Sequence, residues 1–373
     1  MRNVLGILIG TFIAACGHDS ATEHGGGHTA SGAEPTSTAI AAVSGDALYV
    51  VNGEDSSISV VDPVAGTVIG TIALQNVTYP HHIYLSPDRS KLAVAVPGHD
   101  LSGGHSAAAQ GGGEHGAGHG ATTTPTTPAS GGAVLVLDAT TGATIKSRRL
   151  DASNHNAVFS PNGSEIWTAQ LLDAGTVLVL DAATLETKQT IPVGRVPAEV
   201  TFTNDGKYAF VANGTGDSIS VIATDSKTVV KTIPVDREPV GAWPGADGIM
   251  YVDCEVAKTI KAIDPKTLEV VRTYQLGFTP GFAAVPPART NELWVTDADA
   301  GKVALFETAS DAKTADQATA AGAHALAFSP DGKTGFVTNQ LSHSLSIIDS
   351  ASRTVKSTIP LGKKPNGIVY RAR

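Results

Sequence analysis

From residue 47 to its last residue, the chain repeats one pattern of hydrophobic and polar positions. An apolar strand ends in a short polar turn, an alternating strand follows and closes on aspartate, and a second turn leads to a strand such as TIPVG. The pattern is clearest in YAFVANGTGDSISVIATDSKTVVKTIPVD (208–236) and GFVTNQLSHSLSIIDSASRTVKSTIPLG (335–362). Alternation with a period of two predicts half-buried strands, and the polar residues between them predict turns.

Seven copies of this pattern follow one another about 42 residues apart, with one interval lengthened by roughly 30 residues. This period is typical of four-stranded propeller blades, so the sequence predicts an all-β, seven-bladed β-propeller of antiparallel blades. FVAN, SISVI and TIPVG together resemble the YVTN repeat of YncE-like seven-bladed propellers, over residues 48–373. The resemblance implies the fold but does not specify a function, because proteins with this fold include scaffolds, binding proteins and enzymes.

Two segments compete for the innermost strand of the blade that begins at Leu48. The C-terminal KPNGIVYR (364–371) matches the innermost strand of the other copies, and residues 40–43 are apolar and precede the blade directly. We expect the C-terminal segment to take this position, which would close the ring. The sequence leaves the alternative open.

Residues 1–15 form a predicted secretory signal peptide, with one positive charge at Arg2 and an apolar run from Val4 to Ala14. The following Ile13-Ala14-Ala15-Cys16 resembles a bacterial lipobox, which implies lipidation of Cys16; an ordinary small-residue cleavage site is the alternative. Gly17 replaces the aspartate that holds such lipoproteins at the inner membrane, so the resemblance implies the periplasmic side of the outer membrane or the cell surface. A lipidated Cys16 leaves Cys254 without an intramolecular disulfide partner.

Two low-complexity segments fall outside the repeat. Residues 16–38 are predicted to be a flexible tether, and residues 98–131 a flexible insertion within the propeller of residues 39–373. They contain seven of the twelve histidines: His18, His24, His28, His99, His105, His115 and His119. Imidazole binds Zn(II) and Cu(II), so His99, His105, His115 and His119 are candidate metal ligands. The alternative is a polar linker in which histidine is incidental.

Further histidines precede the first strands of several blades. The innermost strand of a blade runs beside the central channel, and the connections that enter these strands lie on one face, together with the connections between second and third strands. Counting back five residues from the first residue of each SPDG-type turn gives His81, His155, Ala198, Val240 and His324, and the C-terminal strand gives Asn366. The blades that carry the three histidines and Asn366 are consecutive, so these side chains are predicted to converge at one half of the channel mouth.

The channel mouth is therefore a predicted metal site. Three imidazoles with a carboxylate or water make a normal zinc or copper site, with His81, His155 and His324 as ligands and the adjacent His82 and Glu199 in reserve. Alternatively, these histidines cap strand ends by hydrogen bonding. Other chemistry-bearing residues are predicted on the same face: Glu54, Asp55, Asp253, Cys254, Glu255, Asp297, Asp299 and His343.

These features favour a binding protein over an enzyme. A net charge of -9 argues against nucleic-acid binding, which needs a basic surface. No CxxCH haem motif and no GxSxG elbow is present. We expect a lipid-anchored, non-enzymatic propeller that binds a protein partner on its channel face. The His-rich segments also resemble AztD-type periplasmic zinc chaperones, which implies a metallochaperone serving a transport receptor; a propeller enzyme of the haem d1 or quinone type is the remaining alternative.

Overall fold

The computed structural model describes residues 32–101 and 131–373, and within them it has seven antiparallel sheets. Blade 1 begins at residue 47, and the other blades follow in chain order. The inner strands of blades 1 to 7 are β29 (Pro365–Arg371), β5 (Ile83–Leu85), β9 (Val158–Phe159), β13 (Pro197–Phe202), β17 (Pro239–Pro244), β21 (Pro280–Ala284) and β25 (Ala323–Phe328). The second strands are β2 (Ala47–Asn52), β6 (Lys91–Val96), β10 (Glu165–Gln170), β14 (Tyr208–Asn213), β18 (Met250–Cys254), β22 (Glu292–Asp297) and β26 (Thr334–Asn339).

The third and outer strands complete each blade. The third strands are β3 (Ser57–Asp62), β7 (Ala133–Asp138), β11 (Thr176–Asp181), β15 (Ser218–Ala223), β19 (Thr259–Asp264), β23 (Lys302–Glu307) and β27 (Ser344–Asp349). The outer strands are β4 (Thr67–Gln75), β8 (Thr144–Arg149), β12 (Thr187–Pro192), β16 (Thr228–Pro234), β20 (Glu269–Gln275), β24 (Lys313–Ala318) and β28 (Thr354–Pro360). A short strand β1 (Thr36–Ser37) and a 3₁₀ turn (Gly214–Gly216) are the remaining elements of the described residues.

The blades form a closed ring. The inner strand β29 contacts β5, β5 contacts β9, and the inner strands from β13 through β17, β21 and β25 to β29 contact one another in turn. Between blades 3 and 4 the contact is made by the second strand β10 with the inner strand β13. Ring closure covers the two blade faces that an open stack of blades would expose, and the radial arrangement leaves only short, protected strand edges. The predicted all-β, seven-bladed propeller of four-stranded antiparallel blades is confirmed.

Hydrophobic packing lies between blades rather than within them. The second and third strands are almost fully buried, whereas the outer strands are largely exposed. Seven of the buried clusters each join two neighbouring blades; in one of them Tyr49 of blade 1 packs with Leu92 and Leu135 of blade 2. Because every blade needs both neighbours to cover its faces, the ring is expected to fold as one cooperative unit.

The C-terminal segment closes blade 1. Strand β29 pairs antiparallel with β2, with Leu48 opposite Tyr370 and Val50 opposite Ile368. The competing segment 40–43 packs elsewhere, because the Ile40 and Val43 backbone amides donate to carbonyls in the outer turn of blade 2. Strand β1 pairs with the outer strand β4, so residues 36 and 37 of the predicted tether belong to the edge of blade 1.

The repeated asparagine at the end of the second strand has a structural role. Asn213 Nδ2 donates to Ser218 Oγ at 3.2 Å and to Ser220 Oγ at 3.0 Å on the adjacent strand. Equivalent bonds join Asn52 to Ser57 and Ser59, and Asn339 to Ser344 and Ser346. These bonds fix the second turn of the blade, which explains why asparagine ends the FVAN-like strand and serine begins the SISVI-like strand.

The predicted insertion leaves blade 2 between β6 and β7. The described residues at its start approach the channel: Leu101 is buried with Leu171 and Val196, and Lys364 pairs with Asp100. The predicted signal peptide, the predicted lipidation site Cys16 and the candidate ligands His105, His115 and His119 lie outside the described residues. No helix in the described part of the chain is long and apolar enough to cross a membrane.

Candidate metal site at the channel face

The channel face is the face on which the chain enters the inner strands, and three histidines meet there. His81 and His82 directly precede β5, and His155 lies three residues before the short strand β9. All three side chains are buried, with exposed fractions of 2 to 4%. The predicted convergence of His81 and His155 is therefore present in the structure, and His82 joins them. These three residues are called the histidine cluster below.

The geometry of the histidine cluster suits one metal ion. His81 Nε2 and His155 Nε2 are 2.9 Å apart, and one nitrogen from each of the three residues lies within 4.8 Å of the others. Tetrahedral zinc binds imidazole at 2.0–2.1 Å, which corresponds to ligand nitrogens about 3.3 Å apart. A shift of about 0.4 Å would thus replace the hydrogen bond between His81 and His155 with two metal–nitrogen bonds.

Glu199 orients two of these rings. From β13 of blade 4, its Oε1 accepts from His82 Nε2 at 3.0 Å and from His155 Nδ1 at 3.1 Å. A neutral imidazole with a proton on one nitrogen presents a lone pair on the other, so Glu199 leaves His82 Nδ1 and His155 Nε2 as metal-binding atoms. A carboxylate behind a ligating histidine is the usual outer partner of protein metal sites.

Burial sets the charge of these groups. Removal from water raises the pKa of Glu199 to about 8, because the residue is fully buried, and a hydrogen bond with the Trp243 side chain offsets part of this increase. Burial also lowers the pKa of His324 to about 4, with a smaller contribution from the charge of Lys364. At neutral pH His324 is therefore uncharged, which is the form of imidazole that binds a metal. A metal ion near Glu199 would favour the ionised form of its carboxyl.

His324 lies beside the histidine cluster but not within it. Its ring centroid is 5.9 Å from that of His81 and 6.4 Å from that of His82, and its Nε2 has no hydrogen-bond partner in the described part of the chain. Thr296 Oγ1 donates to the His324 carbonyl at 2.7 Å, which holds its backbone. His324 therefore remains a candidate fourth ligand that a rotation of the side chain would bring to the ion.

A cavity of about 290 Å³ opens beside the histidine cluster. The three cluster residues and His324 form one side of it, and Trp243, Glu255 and Asp299 contribute from blades 5 and 6. Leu101, at the start of the insertion, also lines it. An ion held by the cluster would thus have an open position facing a small cavity with both polar and apolar walls.

Asn156 is a supporting residue that sequence reasoning missed. Its Nδ2 donates to the Val200 carbonyl at 2.8 Å, and its Oδ1 accepts from the Val200 amide at 3.1 Å. These two bonds join blade 3 to blade 4 immediately beside His155 and Glu199. The only feature of the sequence that pointed to Asn156 was its position next to His155. Nothing in the sequence indicated that Trp243 lines the cavity.

Two other predicted residues lie away from the histidine cluster. His99 is 3.4 Å from Ser153 Oγ through its Nδ1, burial lowers its pKa, and it does not join the cluster. Cys254 is fully buried, and burial together with Asp253 and Asp236 raises the pKa of its thiol to about 12. At neutral pH this thiol is protonated, so Cys254 is a poor nucleophile and a poor metal ligand.

The fold defines the protein class as a seven-bladed β-propeller, and comparison with solved structures agrees. Dihydro-heme d1 dehydrogenase NirN in complex with DHE is 14% identical, with a TM-score of 0.62 over 88% of this chain and 76% of that chain. The periplasmic gluconolactonase PpgL of Pseudomonas aeruginosa is 18% identical, with a TM-score of 0.67 over 88% of this chain and 99% of that chain. A functionally unknown protein from Desulfotomaculum acetoxidans is 12% identical, with a TM-score of 0.67 over the same shares. At these identities the similarity shows the fold alone.

No family model and no curated protein matches the chain by sequence. The resemblance to YncE-like and AztD-type propellers therefore rests on the quoted motifs. Two of the similar structures are propeller enzymes by name, which agrees with the varied use of this fold. The function has to be argued from the site.

Proposed function

We propose that this protein is a propeller that binds a divalent transition metal, zinc or copper, at its channel face. His81, His82 and His155 are the ligands, His324 is the candidate fourth ligand, and Glu199 orients the imidazoles. The single observation that carries this proposal is the 2.9 Å contact between His81 Nε2 and His155 Nε2, with a buried carboxylate behind His155. Two imidazole nitrogens that face each other need either a shared proton or a metal ion between them.

The sequence supports an extracytoplasmic setting for this activity. The signal peptide and the lipobox around Cys16 favour a protein anchored by lipid to the outer membrane or cell surface. We propose that the propeller acts without catalysis, stores or hands on its ion, and meets a protein partner at the channel face. The His-rich segments favour a metallochaperone, with His105, His115 and His119 as further ligands.

The size of the cavity favours this function over the haem d1 alternative. A volume of about 290 Å³ lies at the lower limit of small-molecule sites, and a tetrapyrrole needs considerably more space. The contacts of the cluster are those of metal sites, with imidazole nitrogens in front and a carboxylate behind.

Zinc titration of a chain without its low-complexity histidines tests the proposal. The variant carries alanine at His18, His24, His28, His99, His105, His115 and His119, and is called the seven-alanine chain below. We expect it to bind one zinc ion per chain in competition with a chelating dye, because the channel-face histidines remain. A seven-alanine chain that cannot compete with the dye, while the unmodified chain does, would assign the binding to the low-complexity segments instead.

Zinc affinity is expected to rise with pH between 6 and 8. Protons compete with the metal for the imidazole nitrogens, and the Glu199 carboxyl, with its pKa near 8, must lose its proton to compensate the ion. Each released proton corresponds to about a tenfold change in affinity per pH unit. Calorimetric titrations in buffers of different ionisation enthalpy would count these protons.

The Glu199→Gln variant is the matched control for this pH dependence. This variant removes the carboxyl proton but leaves the imidazoles. Zinc affinity should therefore rise less steeply with pH above pH 7 than it does in the unmodified chain. An affinity that does not change between pH 6 and 8 would contradict binding by these groups.

A further inference from the structure

The first residues of the predicted insertion cross the channel face beside the histidine cluster. Strand β6 ends at Val96, and residues 97–101 lead from there to the cavity, where Leu101 forms part of the wall. Gly98 has a φ of 86°, a conformation that favours glycine, and it turns the chain out of the blade. Residues 97–101 are called the strap below.

Polar contacts hold the strap from three consecutive blades. The hydroxyl groups of Thr78 and Ser153 each donate to a strap carbonyl at 2.9 Å. Lys364 pairs with Asp100 of the strap. Lys364 precedes the inner strand of blade 1, Thr78 that of blade 2 and Ser153 that of blade 3. Since blades 2 and 3 carry the histidine cluster, the strap is attached around the cluster.

Leu101 is the apolar anchor of the strap. Its side chain is 3% exposed and packs against Leu171 of blade 3 and Val196, which precedes blade 4. Between Val96 and Val134 the chain contains no other leucine, isoleucine, valine, methionine, phenylalanine, tyrosine or tryptophan. One leucine in such a polar segment, buried against two blades, fixes the end of the strap at the cavity.

The strap covers the histidine cluster and is held by few contacts. The three histidines are 2 to 4% exposed and line the same cavity as Leu101, so an ion reaches them only when a covering side chain moves. The strap is attached by two hydroxyl hydrogen bonds, one partly exposed ion pair and one leucine, and exposed ion pairs contribute little. Segments with few buried contacts open locally while the rest of the fold stays intact.

We propose that the strap is a lid that controls the exchange of the metal ion at the histidine cluster. With the lid closed, Leu101 covers the cavity; with the lid open, the ion can enter or leave. This inference rests on the proposed metal site and names the step that limits uptake and release. Because Leu101 is not a ligand, opening of the lid changes the rates of exchange rather than the affinity.

Chemical modification of the metal-free protein tests the lid without zinc. Diethyl pyrocarbonate modifies accessible neutral imidazoles, and peptide mass spectrometry gives the rate at His81 and His155. Leu101→Ala is expected to raise this rate at least about tenfold, because burial of a leucine shifts an open–closed equilibrium by about one to two orders of magnitude. Leu172→Ala is the matched control, since Leu172 is exposed on the same face and does not line the cavity. Equal rates in the two variants would overturn the inference.

Zinc release is the second readout. An excess of chelating dye should remove zinc at least about tenfold faster from Leu101→Ala than from Leu172→Ala, while the two affinities agree within about threefold. In a Leu101→Cys/Leu171→Cys variant, the disulfide-bonded form should release zinc at least about tenfold more slowly than the reduced form, because the lid is then locked. Both experiments use a full chain that keeps His99 of the strap and carries alanine at His18, His24, His28, His105, His115 and His119.

The two readouts separate this inference from the function on which it rests. Normal zinc binding, with release and modification rates that Leu101→Ala does not change, would overturn the lid alone. A chain that binds no zinc, yet whose cluster histidines are modified faster in Leu101→Ala, would overturn the proposed function while supporting the strap as the cover of the cluster.

Discussion

Replacing His155 with alanine is expected to weaken zinc binding by more than about 100-fold, because it removes a ligand and also releases Glu199. The loss of an outer-shell partner alone typically costs 10- to 100-fold in metal affinity, and a ligand should cost more. His155 is the centre of the site, since one ring nitrogen faces His81 and the other faces Glu199. Competition with a chelating dye in the seven-alanine chain would measure the effect.

Two further variants make this prediction specific. His343→Ala removes an exposed histidine of the same face, whose Nδ1 accepts from the Lys364 amide, and should change zinc affinity by less than about twofold. The zinc affinity of Glu199→Gln should lie between those of His155→Ala and His343→Ala, about 10- to 100-fold weaker than that of the seven-alanine chain. If His155→Ala kept the affinity of the seven-alanine chain while folding normally, the histidine cluster would not be the metal site.

Removing the C-terminal strand is expected to abolish both cooperative folding and metal binding. Deletion of residues 365–373 leaves β2 without its partner on the inner side and uncovers Leu48 and Phe336, against which Ile368 and Tyr370 pack. It also removes Gly367, whose amide donates to the His81 carbonyl at 2.9 Å, and Asn366, whose Oδ1 accepts from Gln340. Thermal unfolding followed by circular dichroism should show no cooperative transition at the temperature of the intact chain.

A milder variant separates the site from the fold at this strand. A Cβ at position 367 would lie 2.7 Å from His82 Cα and 2.8 Å from the His81 carbonyl oxygen, so Gly367→Val must displace the histidine cluster. Overpacking typically costs 1–3 kcal/mol, which corresponds to a few degrees in Tm for a domain of this size, together with a loss of zinc affinity. Gly45→Val is the control, because a Cβ there meets no atom within 4 Å. Equal zinc affinity in the two variants would contradict the link between β29 and the site.

The fold could be predicted because its determinants are local and repeated. Each blade carries the same alternation and the same turn chemistry, as in the bonds from Asn213 to Ser218 and Ser220, so the period alone gives the number of blades. Closure by the C-terminal strand β29 was expected for the same reason, although the sequence left residues 40–43 open as the alternative. The packing of strand β1 on β4 was not predicted, because residues 36 and 37 carry no apolar pattern and are held by backbone pairing and by hydrogen bonds of their hydroxyl groups.

The site could be predicted only in part. Position within the repeat brings His81 and His155 to one face, but side-chain contacts depend on the width of the channel and on rotamers. His324 occupies the equivalent position in blade 7, yet its ring remains 5.9 Å from that of His81. In blade 4 the equivalent position is Ala198, so this counting gave no direct sign of a ligand there. The adjacent Glu199 nevertheless contacts His82 of blade 2 and His155 of blade 3. Trp243 enters the cavity from a strand that reads as ordinary core.

Anomalous diffraction at the zinc absorption edge, from crystals of the zinc-loaded protein, tests the central claim most directly. The account predicts one strong peak about 2.0–2.1 Å from His81 Nε2 and His155 Nε2, with a nitrogen of His82 as the third ligand. An otherwise ordered propeller with no anomalous peak at the histidine cluster, and with zinc bound elsewhere, would contradict it.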